Sequence, residues 1–204
     1  MKISIIVGSH RQDSQSGKIA RVLERSLQAL PECTATYLFD LANNPLPLWD
    51  ESIWNGDPGW EQRLAPIAAE LQSSDGFIII APEWHGMVPA GLKNFFLLWG
   101  NGELAHKPAL LVGISSADGG SYPIAELRMS SYKNNRICYM PEHLIVRYVE
   151  TIFNANAADN NPSAQGYFEE RFDYCVKQLL TYAKAFQPIR ASETVSLATY
   201  SSGM

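Results

Sequence analysis

Cysteine is scarce in this sequence and follows no disulfide or metal-ligand pattern. The three cysteines, Cys33, Cys138 and Cys175, are an odd number at wide spacing, and no C-x-x-C pair is present. This spacing disfavours a disulfide framework and a zinc knuckle. Unpaired thiols are typical of a reducing compartment, so we expect a cytoplasmic protein.

Long apolar runs are also missing. The amino-terminal run Ile3–Val7 is short, mostly apolar, and ends at Gly8. It is too short for the core of a signal peptide, and far too short to cross a bilayer, which takes about 20 residues. No other segment reaches that length without charged residues, so we expect no membrane span.

Excess positive charge and clustered histidines are lacking as well. The chain has 16 lysines and arginines against 21 aspartates and glutamates, and this formal net charge of -5 disfavours a general nucleic-acid binder. The four histidines are His10, His85, His106 and His143. They are scattered, without an H-E-x-x-H motif or any other paired ligand spacing. We therefore predict no metal site and no catalytic acid or base among the side chains.

Short apolar runs do occur, and they alternate with helical patterns. The predicted buried strands are Ile3–Val7, Thr34–Phe39, Phe77–Ala81 and Ala109–Ser115, with a fifth inside Arg136–Val149, where Pro141 leaves the limits open. Apolar residues at helical spacing lie within 19–30, 60–71, 89–99, 124–132 and 168–186. This alternation predicts an α/β protein with a parallel sheet and helices on both faces.

Five parallel strands fit the flavodoxin-like order 2-1-3-4-5. We expect residues 1–190 to form this single domain, and residues 191–204, which are rich in serine and threonine, to form a mobile tail. Ligands of such sheets bind outside the carboxyl ends of the strands. The loops after strands one, three and four read GSHRQDSQSG, PEWHGMVPAG and SSADGGSYP.

The first of these loops has the composition of an anion site. Hydroxyls and unpaired backbone N–H groups at the start of a helix suit a phosphate, and Arg11 can add a charged hydrogen bond. Taken singly, Ser14 and Ser16 could simply cap the helix, and Arg11 could form a surface ion pair. Taken together at the end of the first strand, these residues favour a phosphate.

Two nucleotide-binding motifs are excluded by spacing. A Walker loop needs G-x-x-x-x-G-K-[ST], whereas eight residues separate Gly8 from Gly17, and Lys18 is followed by isoleucine. Lys18 is therefore predicted to be an ordinary residue of the first helical turn. GNGELA at 100–105 matches G-x-G-x-x-A, but it follows a helix rather than a strand, so it is a chance match.

The other two loops are less specific. Trp84 could stack on a flat ligand ring, although a tryptophan there could equally belong to the core or an interface. Gly119 and Gly120 would let the backbone approach a ligand closely, and they would also suit an ordinary turn between strand and helix.

In combination, the three loops resemble those of the NAD(P)H-dependent FMN reductase family. Its first loop, G-S-x-R-x-x-S-x-N-x-x-L-A, is matched at 8–20 with Ser16 for asparagine and Ile19 for leucine. Its second, P-E-Y-N-x-x-x-P-G-x-L-K-N, is similar to residues 82–94 with Trp84 for tyrosine and His85 for asparagine. A looser third motif, S-x-G-x-x-G-G followed by Q-L-R, resembles 115–120 and then Glu126-Leu127-Arg128. The resemblance covers about residues 1 to 150.

The resemblance implies a set of cofactor-binding residues. It assigns the FMN phosphate to Ser9, Arg11, Ser14 and Ser16, the length of the flavin ring to Pro82, Glu83, Trp84 and His85, and the far edge of the ring to Ser115, Gly119 and Gly120. It also implies a ping-pong cycle in which NADPH or NADH reduces the flavin. The acceptor would be a quinone, an azo dye, a metal oxyanion or free flavin. A homodimer, or a tetramer, is implied through helix 89–100.

Two other functions stay open at this point. One is a flavodoxin-like electron carrier without nicotinamide activity, although its phosphate loop usually has a T-x-[ST]-G-[NT]-T character that GSHRQDSQSG lacks. The other is a non-enzymatic interaction protein that has lost flavin, which the changes at Ser16, Trp84 and His85 leave open.

Overall fold

Five strands and five α-helices alternate in a computed structural model that describes residues 1–200. The strands are β1 (Lys2–Val7), β2 (Ala35–Asp40), β3 (Gly76–Pro82), β4 (Pro108–Ile114) and β5 (Cys138–Val146). The helices are α1 (Gln15–Gln28), α2 (Pro58–Gln72), α3 (Ala90–Leu97), α4 (Ser121–Met129) and α5 (Pro162–Arg190). The sequence predicted each of these elements in this order.

The strands form one parallel sheet in the order β2-β1-β3-β4-β5, which confirms the predicted flavodoxin-like α/β fold. Every residue of β3 and β4 is buried, which explains why their apolar runs are continuous instead of alternating. One core lies between the sheet and helices α1 and α5. A second core packs α2, α3 and α4 against the opposite face.

β5 continues past Pro141, the residue that left its limits open in the sequence. The pairing with β4 shifts register between Ala109 and Leu111, opposite the stretch of β5 that holds the proline. Because β5 is an edge strand, the missing N–H of Pro141 costs no bond in the middle of the sheet.

Helix α3 ends earlier than its sequence pattern predicted. We expected a helix from 89 to 99 with Gly100 just past its end, but α3 ends at Leu97. The Leu98 N–H bonds Phe95 three residues back, so the last turn is tighter than an α-helix. Trp99 then packs edge-on against Phe95, with ring centroids 5.6 Å apart. Tertiary packing of this indole therefore replaces the final helical turn.

The chain after α5 contacts the loops that precede β4 and β5. Residues 193–195 form a short 3-10 turn, Leu197 lies against Gly102, and Arg136 donates to the carbonyl of Tyr200. Residues 201–204 lie outside the described part of the chain, so the mobility expected for the tail stays a prediction. Within residues 1–200, no helix has both the length and the apolar character needed to cross a membrane.

Lys107 is a buried cation that closes the carboxyl end of α2. Its ammonium donates to the carbonyls of Leu71 at 2.8 Å, Gln72 at 2.8 Å and Glu103 at 2.7 Å. The carbonyls of Leu71 and Gln72 are the last two of α2 and have no partner within the helix, whereas that of Glu103 belongs to the loop before β4. Burial, helped by the charge of Arg190, lowers the pKa of Lys107 to about 7.

Lys107→Met is expected to destabilise the fold, because methionine leaves buried carbonyls without donors, at about 1–3 kcal/mol for such a group. The folded pKa lies below the unfolded value, so between pH 7 and 10.5 the unfolded chain binds more protons. The loss should therefore be largest at alkaline pH and shrink as the pH falls towards 7. Urea unfolding at several pH values measures it, and a loss that grows towards acid would contradict this.

Candidate functional site

The loops after β1, β3 and β4 meet at the carboxyl edge of the sheet, because these three strands are neighbours. They enclose a cavity of about 130 Å³. Residues from all three loops line it, and the set is Ser9, Arg11, Ser14, Gln15, Ser16, Pro82, Glu83, Trp84, Ile114, Ser115, Ser116 and Val149. Eight of the eleven residues predicted to bind a cofactor therefore lie around one cavity.

The serines of the first loop both build the loop and face the cavity. Ser14 is the N-cap of α1, and its hydroxyl accepts from the N–H of Gly17 at 3.0 Å. The hydroxyl of Ser9 accepts from the N–H of Arg11 at 3.2 Å. The capping interpretation of Ser14 is thus correct, but it does not compete with ligand binding. Each hydroxyl acts as an acceptor within the loop and keeps its own hydrogen for an anion.

Arg11 is exposed at the rim of this cavity. None of the ion pairs formed among residues 1–200 includes it. The alternative role considered for Arg11, a surface ion pair, therefore has no partner in the described chain. Its guanidinium is placed to bind an anion at the amino-terminal end of α1, where the helix dipole adds to the attraction.

Gln15 is a cavity residue that the sequence did not reveal. Its side-chain oxygen is buried and has no hydrogen-bond partner among the described residues. The oxygen and nitrogen of an amide can exchange places by a half-turn of the side chain, so Gln15 can offer either an acceptor or two donors. No motif marks this position, and the unpaired buried atom makes it a candidate ligand contact.

Lys18 is not the ordinary first-turn residue that the spacing predicted. Its ammonium donates to the carbonyls of Val149 at 2.8 Å and Ile152 at 2.7 Å, and to Asn154 Oδ1 at 2.9 Å. Partial burial lowers the pKa of Lys18, and the carboxylate of Glu150 opposes this shift. Lys18 thus fastens the chain after β5 to α1 and holds Val149 at the wall of the cavity.

The second loop turns sharply at His85 and Gly86. Trp84 and Met87 exchange two backbone hydrogen bonds across the turn, at 3.1 and 2.9 Å. Both central residues have positive φ, 52° at His85 and 72° at Gly86, which is the pattern of a type I′ turn. Such a turn favours asparagine at its first central position, and histidine is also enriched at positive φ. His85 is exposed at the tip and does not line the cavity.

Trp84 is half-buried and does line the cavity. Its indole lies 5.9 Å from the imidazole of His10, measured between ring centroids, with the planes tilted by 44°. The Nε2 atom of His10 in turn accepts from the N–H of Gly91 at 3.1 Å. His10 therefore ties Trp84 to the first turn of α3, a supporting role that its isolated position in the sequence did not indicate.

The third loop comes close to both the sheet and Glu83. Ser115 lines the cavity, whereas Gly119 and Gly120 stand behind it against the carboxylate of Glu83. The N–H of Gly120 donates to Glu83 Oε2 at 2.5 Å. A Cβ atom at Gly119 would lie 2.8 Å from Glu83 Oε1, so a side chain there would displace the carboxylate. Gly120 has a φ of +97° and its Cβ would lie 2.7 Å from Ile145, so close packing requires glycine at this second position.

These features fit a phosphate-bearing ligand with a flat ring. Hydroxyls, a free guanidinium and an unpaired buried amide surround the amino-terminal end of α1, and an indole lies at the neighbouring strand end. Among residues 1–200, no group of three or more histidine, cysteine, aspartate or glutamate side chains could hold a metal ion.

Comparison with a protein family gives an independent result. A family model described as NADPH-dependent FMN reductase matches residues 1–150 of this chain. The matched region contains all three cavity loops and ends just beyond β5.

Two curated proteins illustrate the similarity. The quinone reductase of Escherichia coli (strain K12) is 31% identical over 94 residues, 46% of this chain and 47% of that protein. The chain therefore matches only about half the length of this relative. The 2-hydroxy-1,4-benzoquinone reductase of a Burkholderia species is 25% identical over 180 residues, 85% of this chain and 93% of that protein.

A solved structure shares the fold. It is FerB, a flavoenzyme NAD(P)H:(acceptor) oxidoreductase from Paracoccus denitrificans, which superimposes with a TM-score of 0.70 over 91% of this chain and 98% of that one. The identity is 20%, so this likeness concerns the arrangement of strands and helices.

Arg11→Ala is expected to weaken FMN binding by about 1–3 kcal/mol, the range for a hydrogen bond to a charged group. Titration of flavin-free protein with FMN, followed by flavin fluorescence, measures this loss. Arg63→Ala on α2, outside the cavity lining, is the matched control and should bind FMN as the unaltered chain does. Equal affinity of Arg11→Ala and the unaltered chain would show that Arg11 does not contact the phosphate.

Proposed function

The chain belongs to the NADPH-dependent FMN reductase family, and we propose that it is an FMN-dependent NAD(P)H oxidoreductase that reduces a small acceptor of the quinone class. The observation that carries this proposal is the anion-binding end of α1 beside an indole at one cavity. Ser9, Arg11, Ser14 and Ser16 would hold the FMN phosphate, and the loop at Trp84 would lie along the ring.

When bound, FMN would supply the redox chemistry, accepting a hydride from NADPH or NADH and passing two electrons to the second substrate in a ping-pong cycle. The protein's part is to bind and orient. The serine hydroxyls and Arg11 would hold the phosphate end of the cofactor, and the close-packed glycines at 119–120 would border the far edge of its ring. A protein that only binds and orients its cofactor needs no group of catalytic side chains, which agrees with the scattered positions of the histidines.

The proposed class of acceptor rests on the names of similar proteins. Two proteins similar to this chain are named as quinone reductases, one of them matching along most of its length. Exposed side chains beside the cavity loops, Met87 at the β3 turn and Tyr122 at the start of α4, offer an apolar and accessible approach for a flat molecule. Azo dyes, metal oxyanions and free flavin are further acceptors to compare with a quinone.

A cytoplasmic location is also proposed, and it rests on the cysteines alone. The three cysteines form no disulfide in the described chain, which suits a reducing compartment.

A homodimer through α3 is proposed as well. The inner side of α3 is buried, and the loop after β2 covers Asn94, which accepts from the N–H of Trp49 at 2.7 Å and donates to the carbonyl of Pro47 at 2.7 Å. Apolar surface remains outside this cover, because Leu97 is 65% exposed, Leu48 75% and Trp54 78%. A second copy of the chain would bury these side chains.

The purified protein is expected to be yellow, to lose its flavin absorbance on anaerobic addition of NADPH or NADH, and to regain it when a benzoquinone is added. Initial rates with both substrates varied should give parallel double-reciprocal lines, as a ping-pong cycle requires. A yellow protein that neither nicotinamide bleaches would instead be an electron carrier. A colourless protein that does not bind added FMN would contradict both functions.

Leu97→Glu is expected to convert the dimer into a monomer, because a charge cannot be buried at an apolar contact without a partner. Light scattering at several protein concentrations measures the mass. Met129→Glu, at a position on α4 that is 78% exposed, is the matched control and should leave the mass unchanged. A monomeric unaltered chain at all concentrations would rule out the proposed dimer.

A further inference from the structure

One peptide unit in the third loop is held at both of its polar ends. Its N–H, from Gly120, donates to Glu83 Oε2 at 2.5 Å. Its C=O, from Gly119, accepts from Arg147 Nε at 3.0 Å. Glu83 directly follows β3 and Arg147 directly follows β5, whereas the peptide itself follows β4, the strand between them. The two charged side chains therefore reach the same peptide from opposite sides.

The charges are placed as a peptide dipole requires. A carboxylate at the N–H and a guanidinium at the C=O both favour the observed orientation, and each hydrogen bond polarises the peptide in the sense that strengthens the other. A reversed peptide would bring its carbonyl towards the carboxylate and its N–H towards the guanidinium. The pair Glu83 and Arg147 therefore selects one of the two orientations.

Packing leaves this peptide little freedom to move elsewhere. Gly120 has a φ of +97°, and a Cβ atom there would lie 2.7 Å from Ile145 Cγ2. A Cβ atom at Gly113 in β4 would lie 2.3 Å from the carbonyl oxygen of Gly120. Close approach of the loop to the sheet thus depends on glycine on both sides.

The residues after Arg147 hold the rest of the loop. The hydroxyl of Tyr148 donates to Asp118 Oδ1 at 2.6 Å, the N–H of Val149 donates to the carbonyl of Ser115 at 3.2 Å, and Ser116 Oγ donates to Glu150 Oε1 at 3.1 Å. Four successive residues, 147–150, therefore contact the loop 115–119. The same segment is fastened to α1 by Lys18 through the carbonyl of Val149.

We propose that Glu83 and Arg147 are positioning residues that fix the Gly119–Gly120 peptide and thereby set the far edge of the flavin site. We call the two hydrogen bonds that this peptide forms with Glu83 and Arg147 the clamp. Its link to FMN rests on the proposed function, but the clamp itself belongs to the flavin-free chain. Because the N–H of Gly120 is used by Glu83, Gly120 shapes the edge of the site instead of donating to the ring. Glu83 likewise acts on the loop backbone.

The direct test is amide exchange at Gly120 in flavin-free protein with ¹⁵N-labelled glycine. We expect the Gly120 amide to be protected and its proton signal to lie downfield, because its hydrogen-bond acceptor is a carboxylate. Glu83→Ala should speed its exchange by roughly 10-fold or more, the effect of losing a charge-assisted hydrogen bond. Glu83→Gln keeps an oxygen acceptor, so it should retain most of the protection while the downfield shift is reduced.

FMN affinity supplies the second measurement. Glu83→Ala and Arg147→Ala should each raise the FMN dissociation constant by roughly 10-fold, and Glu83→Gln by much less. The double alanine variant should be little worse than either single variant, because both side chains act on one peptide. Glu142→Gln, which removes a charge from the ion pair with Arg171 against α5, is the matched control and should change neither measurement.

The outcomes separate the clamp from the proposed function. A Gly120 amide that stays equally protected in Glu83→Ala, with an unchanged melting temperature, would overturn the clamp. Fully additive losses of FMN affinity would do the same. If the protein binds no FMN at all, the proposed function fails, and the exchange measurement on the flavin-free chain still decides whether the clamp exists.

Discussion

The pairing of β1, β3 and β4 at the centre of the sheet is the constraint on which the rest of the molecule depends. These strands are apolar, buried on both faces and parallel, so their carboxyl ends lie side by side. Because each strand end begins a loop, three segments distant in sequence meet at one cavity. A change in strand order would separate them, even if every loop kept its residues.

Several charged side chains in this protein hold backbone groups. Lys107 binds the last carbonyls of α2, Lys18 binds carbonyls of the chain after β5, and Glu83 and Arg147 bind opposite ends of one peptide. Each of them gives a backbone polar group a charged hydrogen-bond partner. Arg11 is the exception at the cavity, since no ion pair of the described chain includes it. Its charge is therefore available to a ligand.

Much of the fold could be predicted, because buried parallel strands and amphipathic helices leave clear periodic patterns. The end of α3 could not, since Trp99 leaves the helix to pack on Phe95, and a helical pattern alone does not record that contact. The same holds for Lys18. Its position after Gly17 suggested an unremarkable helix residue, whereas its partners lie more than 130 residues away in the chain.

The sequence by itself determined the α/β class, the strand order expected for five parallel strands, and the family through motifs in the cavity loops. Local patterns suffice for these, because periodicity, spacing and turn residues are properties of neighbouring positions. Only the tertiary structure decided that His85 stands outside the cavity on a type I′ turn, that Gln15 carries an unpaired buried atom, and that Glu83 and Arg147 share one peptide. Those facts depend on distances between separate strands and loops, which no single stretch of sequence contains.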